Sequence, residues 1–170
     1  MILGVYLAGG MKSGWQDRVV SFVERIDGLE EDVRLIDPRY HGKQDEAEYT
    51  AWDIRGVKYA DVVFAYLESD NPSGYGLCTE VAYAAAMRKF IIFVDEKSPT
   101  LPAHELFNML GMTRQLSNYS TFELASGLCV LRQVLLYPPL LDTQTPTQKA
   151  ISVPVCFSPP APVRTVYRGW

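Results

Sequence analysis

The sequence is short of most features that assign a chemistry at sight. It holds three cysteines (Cys78, Cys129, Cys156) and no CxxC pair. Such an odd, scattered set reads as reduced thiols in a cytoplasmic protein rather than as a disulfide framework. The two histidines, His41 and His104, come without a GxSxG turn, which excludes a serine triad. Basic residues are in deficit, 16 Lys and Arg against 20 Asp and Glu, with a net charge of −4 and a pI near 5.2. A nucleic-acid polymer is therefore not an expected partner. No stretch approaches the ~18 apolar residues of a membrane span, so no membrane association is expected. The first apolar run, Ile2 to Ala8, is short and has no basic lead-in, so no signal peptide is expected.

Three near-motifs fail on spacing. In Ala8-Gly9-Gly10-Met11-Lys12-Ser13-Gly14, Met11 stands where a phosphate loop needs glycine. Gly74-Tyr75-Gly76 opens like a dinucleotide fingerprint, but Thr79 holds the third glycine position. His104-Glu105-Leu106-Phe107-Asn108 ends on Asn108 where a zinc-protease helix needs its second histidine. No metal and no cofactor are expected.

What is present is a globular chain of 170 residues, 48% hydrophobic and 12% aromatic. A chain of this length buries roughly two-thirds of its unfolded surface and needs no staples. Short apolar runs alternate with helical periodicity. Strands are expected at Ile2–Ala8, Val33–Ile36, Asp61–Leu67 and Phe90–Val94, with a weaker one near Arg114–Leu116. Helices are expected from Trp15 to about Ile26, Asp45–Tyr59, Leu77–Met87, Ala103–Leu110 and Thr121–Leu136. This alternation predicts an α/β fold, a flavodoxin-like, doubly wound, mainly parallel five-stranded sheet with helices on both faces. In such sheets ligands sit beyond the carboxyl ends of the strands, here Ala8–Gly10, Leu67–Gly76 and the segment after Val94. From Pro138 the composition changes. Seven of the eleven prolines lie in the last 33 residues, with only Asp142, Lys149, Arg164 and Arg168 charged. The chain thus divides into a domain over 1–137 and a Pro-rich C-terminal arm over 138–170, packed on its own body or on a neighbouring subunit.

Two carboxylates stand in unusual places. Glu80 is the only charge in the helix 77–87 and shares a face with Tyr83, Ala84 and Met87, where an ionised group loses solvation. A capping box would explain it, but Leu77 stands where that motif needs Ser or Thr. Asp53 shares its helix face with Tyr49, Val57 and Ala60 rather than with Glu46 and Lys58. Tyr6 points along the first strand towards a sheet end, and Trp15 follows the glycine-rich turn and could line the same cleft. Asp61, at the start of the third strand, reads as a structural cap.

Three segments, Val5-Tyr6-Leu7-Ala8-Gly9, Asp53-Ile54-Arg55-Gly56-Val57 before Ala60-Asp61-Val62-Val63, and Gly76-Leu77-Cys78-Thr79-Glu80-Val81-Ala82-Tyr83-Ala84, together resemble the nucleoside 2-deoxyribosyltransferase family and its relatives, the nucleotide N-glycoside hydrolases. The likeness spans about residues 2–95. It implies cleavage of the N-glycosidic bond of 2-deoxynucleosides. Glu80 would be the nucleophile that forms a covalent deoxyribosyl ester. Asp53 would assist protonation of the base, and Tyr6 would position Glu80. The family's sugar-contacting aspartate is replaced here by Gly74, so Asp70 or Asn71 is a candidate in its stead. Gly9, Gly10, Trp15, Ser73, Gly74 and Gly76 complete the expected substrate contacts. The resemblance implies a deoxynucleoside and a free nucleobase as substrates, with transfer between bases, in a homo-oligomer whose arm completes a neighbour's site. Hydrolysis of a deoxynucleotide whose 5′-phosphate is held by loop serines, and a non-catalytic nucleotide-binding module, are the alternatives.

Overall fold

A computed structural model describes residues 2–29, 32–42, 45–72, 74–101, 108–138 and 167–168. Five strands follow the expected alternation. They are β1 (Ile2–Gly9), β2 (Asp32–Ile36), β3 (Val62–Leu67), β4 (Phe90–Asp95) and β5 (Tyr119–Thr121). The helices are α1 (Trp15–Val23), α2 (Glu46–Tyr59), α3 (Tyr75–Ala86), α4 (Asn108–Leu116) and α5 (Leu124–Leu136). A two-residue strand, β6 (Tyr167–Arg168), pairs with β2 and makes the sheet six-stranded, in the order β5-β4-β3-β1-β2-β6. Every described pairing is parallel. Beyond Pro138, β6 is the part of the arm that lies within the described residues.

Alternation along the strands splits the core into two layers. Leu3, Val5 and Leu7 of β1 and Val62, Phe64 and Tyr66 of β3 pack under α1 and α5. Tyr6, Ala8, Val63, Ala65 and Leu67 face the other way, under α2 and α3. Both faces of the sheet are covered, which is why β3 and β4 read as unbroken apolar runs. Asp61 accepts a hydrogen bond from the Gly4 amide at 2.8 Å and so ties the start of β3 to β1.

Two boundaries differ from the sequence reading for identifiable reasons. The chain over Arg114–Leu116 is the end of α4 rather than a strand, and the strand follows at β5. The buried positions Leu110, Thr113 and Ser117 have helical spacing, but two are polar and hide the stripe; Ser117 Oγ donates internally to the Thr113 carbonyl at 2.7 Å. Helix α3 begins at Tyr75, two residues early. Gly74 takes a left-handed conformation (φ 68°), and its amide donates to Asn71 Oδ1 at 2.9 Å, closing the loop before the helix. Glu80 is thus the sixth residue of α3, past the first turn where the helix dipole favours an anion most.

No described helix is long and apolar enough to cross a membrane.

Candidate active site

Strand β1 delivers Tyr6 into the layer beneath α2 and α3, fully buried. Its ring rests on Gly56 of α2, so closely that a Cβ there would stand 2.6 Å from Tyr6 Cε2. Only glycine lets helix and ring approach this near, and the contact fixes where the phenol points. The hydroxyl donates to Glu80 Oε1 of α3 at 2.6 Å, a charge-assisted distance. The Asp53 carboxyl of α2 lies near enough to act electrostatically on both Tyr6 and Glu80. Residues 27 to 74 positions apart thus come together, Glu80 bonded to the Tyr6 hydroxyl and Asp53 beside them.

Each group titrates abnormally for a physical reason. Burial pushes Glu80 up to about 8, opposed by the Tyr6 hydrogen bond and assisted by the nearby Asp53 charge. Burial also raises Asp53, against the Tyr6 bond and the field of His41. Asp53 Oδ1 is buried with no hydrogen-bond partner. Tyr6 is raised well above the ordinary phenol range by burial, then by the two carboxylates, and keeps its proton. Burial thus holds both carboxyls above the ordinary carboxylate range.

A buried carboxylate that is hard to ionise is a cost carried by the fold. The native protein holds the Glu80 proton more tightly than the unfolded chain, so stability falls as pH rises from the ordinary carboxylate range through about 8. Glu80→Gln is expected to melt above the wild type at about pH 8, with the gain shrinking by about pH 5, as thermal scans at both values will show. Gly56→Ala should act in the opposite sense. Its methyl group displaces a ring that has no free space, at a cost of roughly 1–3 kcal/mol, and moves the hydroxyl off Glu80. Lower melting temperature together with lower turnover is the expected result for that variant.

Near Asp53 lie aromatic residues that the sequence reading did not bring together. His41 follows the short helical turn Pro38–Tyr40 and lies 5.5 Å from Trp52 and 6.3 Å from Tyr49, ring centre to ring centre. All three are half-buried, and the field of His41 reaches Asp53. Arg39 anchors this loop by pairing with buried Asp37 and with Asp17 of α1, both at 2.7 Å. At the crest of the sheet Glu68, immediately after β3, is 6% exposed and its Oε1 has no partner. Its proximity to an apolar strand made it look like the first polar residue of a loop.

The other expected contacts divide. Gly9 ends β1 with φ 149° and lies against the Tyr66 carbonyl. Gly10 lies beside Glu68, and its carbonyl accepts from Trp15 Nε1 at 2.8 Å and Gln16 Nε2 at 2.9 Å. Trp15 corrects the sequence reading. It is 1% exposed, packed on Phe64 and Tyr66 in the layer under α1, on the opposite face of the sheet from Tyr6. Asp70 is exposed, and Asn71 Oδ1 is used to cap α3. Gly74 is buried at the start of α3, where a Cβ would meet Leu67, and Gly76 is exposed on its first turn. Ser73 lies outside the described residues. Among those described, no group of three His, Cys, Asp or Glu side chains is placed to hold a metal ion.

The sequence matches no known family model and no curated protein. Among solved structures, the chain is similar to the CMP N-glycosidase BcmB of Clostridium botulinum, with a TM-score of 0.49 and 19% identity over 76% of this chain and 98% of that one. It is also similar to homoserine dehydrogenase of S. aureus, with a TM-score of 0.40 and 16% identity over 71% of this chain and 32% of that one.

Proposed function

We propose that the protein cleaves the N-glycosidic bond of a 2-deoxynucleoside or its 5′-monophosphate, with Glu80 as nucleophile. The observation that carries this reading is the Tyr6 hydroxyl held 2.6 Å from Glu80 Oε1, with a second carboxyl, Asp53, near enough to act on both. Such a pair supplies both requirements of the reaction. One carboxylate attacks C1′, and the other, protonated, hands a proton to the departing base. The C1′–N bond breaks, its electron pair leaves with the base, and a sugar ester of Glu80 remains for a second acceptor. A binding module would gain nothing from a carboxylate that destabilises its own helix face.

Water is the acceptor favoured by the packing. Tyr6 and Trp15 are sealed in the core and offer no wall on which a second base could stack. Transfer to another base is the second reading, supported by the half-buried Trp52 beside His41 and Tyr49. The deciding assay supplies deoxynucleosides and their monophosphates with and without a second free base. Base release independent of acceptor identifies the hydrolase, and release that needs the acceptor identifies the transferase. No release under any condition would overturn the reading. A cytoplasmic homo-oligomer, with the 138–170 arm contributing to a neighbour's site, belongs to the same proposal, and light scattering of a chain truncated at Tyr137 tests it.

A further inference from the structure

The layer under α1 and α5, on the face of the sheet away from Tyr6, carries a groove of its own. Its volume is about 460 Å³, and it is lined by Asp17, Arg18, Ser21, Phe22 and Arg25 on the α1 side and by Leu128 of α5. Phe22 is half-buried, an aromatic ring that the core leaves partly uncovered. Asp17 is committed to Arg39, whereas Arg18 and Arg25 are exposed and have no ion-pair partner among the described residues. The groove therefore suits an occupant that is largely apolar and brings a negative charge.

The topology brings the chain's own arm to this groove. Helix α5 packs against β4 and β5 at one side of the sheet, and β6 lies at the far edge, beyond β2. The step from β5 to β6 thus crosses the sheet in the same direction as the step from β1 to β2, with α5 on the same face as α1. That is the right-handed sense of crossover, and α1 is the described helix standing between α5 and β6 on that face. From β4 to β6 there are four strand spacings, about 19 Å, which about six extended residues would bridge. The chain has 28 residues there, 139–166. They include Leu140, Leu141, Ile151, Val153 and Phe157, apolar side chains that gain by cover. The first charge among them is Asp142, five residues past Tyr137 and so within about 16 Å of the end of α5. Both α1 and α5 follow strands of a parallel sheet and touch one another, so they end at the same side of the layer, and Arg25 stands just past the end of α1. We propose that residues 139–166 cross the α1 face of their own subunit, seated in the α1–α5 groove with Asp142 at Arg25, and that this passage holds β6 on the edge of β2. Only the residues past β6 are then left to reach a neighbouring subunit. The inference is independent of the N-glycosidase reading.

Photo-crosslinking of the full chain tests it. The photoreactive residue p-benzoylphenylalanine replaces Arg18 in one variant and Arg25 in another, both exposed positions outside the core. A third variant carries it at Ala82, exposed on α3 in the opposite layer. After irradiation, products from positions 18 and 25 should keep the mass of one chain and join α1 peptides to peptides within 139–166. Their yield of arm peptides should exceed that from position 82 by about ten-fold or more. Arm peptides found only in products of twice the chain mass would give the groove to a second copy and overturn the proposal. So would the absence of arm peptides, or an equal yield from position 82. The charge pair supplies a second readout. Arg25→Glu and Asp142→Lys should each lower the melting temperature by about 1–3 °C, the scale of one exposed ion pair in a chain of this size. Combined, they should recover most of the loss. A double variant that melts no higher than the single ones would overturn the seating of Asp142 at Arg25.

Discussion

Glu80→Ala is expected to lower base release by about 10⁴-fold or more while leaving the fold intact, the scale on which removing a covalent nucleophile acts. The expectation comes from the isolation of this side chain. Glu80 is too far along α3 for the dipole to hold its charge, and burial raises it to about 8, so its one strong support is the Tyr6 hydroxyl at 2.6 Å. A slow 2-fluoro-2-deoxy substrate analogue should leave a sugar adduct on Glu80 in the wild type, visible by mass spectrometry of the digested protein. An adduct on Asp53 or Glu68, or near-normal turnover by Glu80→Ala, would give the nucleophile's role to another residue.

The parts of this site that could be read from sequence are those fixed by regular periodicity. Period two along β1 separates Tyr6 from Val5 and Leu7, and helical spacing sets Asp53 and Glu80 on faces where neighbouring residues are apolar. The contact between those faces is long-range, yet each side announces itself because a charge on an apolar stripe is anomalous. Trp15 carried no such signal. The turn at Gly9 and Gly10 decides which face of the sheet α1 covers, and in a right-handed crossover from β1 to β2 it covers the face away from Tyr6. His41 and Glu68 were hidden for another reason. Both lie in connections whose path is set by side-chain clasps, Arg39 with Asp37 in one and Asn71 with Gly74 in the other. Those clasps have no periodicity. Gly56 was visible only as a residue of the motif, since the reason for it, the edge of the Tyr6 ring, lies on a different strand.

Asp53→Asn should reduce base release by roughly 10²–10⁴-fold, the worth of a positioned acid, with substrate binding largely retained. The asparagine preserves shape but carries no transferable proton, so the loss belongs to kcat more than to KM. The same substitution should reshape the pH profile. In the wild type the productive state has Glu80 ionised and Asp53 protonated, which is the singly protonated form of the pair. Activity is lost at low pH as the second proton arrives, and lost again on the alkaline side as the pair gives up its last proton. Removing the Asp53 charge takes away one cause of the raised Glu80 pKa, so Glu80 ionises more readily and the alkaline limb, which reports departure of the acid's proton, should flatten. The residual rate of Asp53→Asn should then rise with pH to a plateau as Glu80 ionises. A variant profile that keeps the wild-type alkaline limb would place the leaving-group proton on a group other than Asp53, with His41, whose charge Asp53 feels, as the next to be replaced.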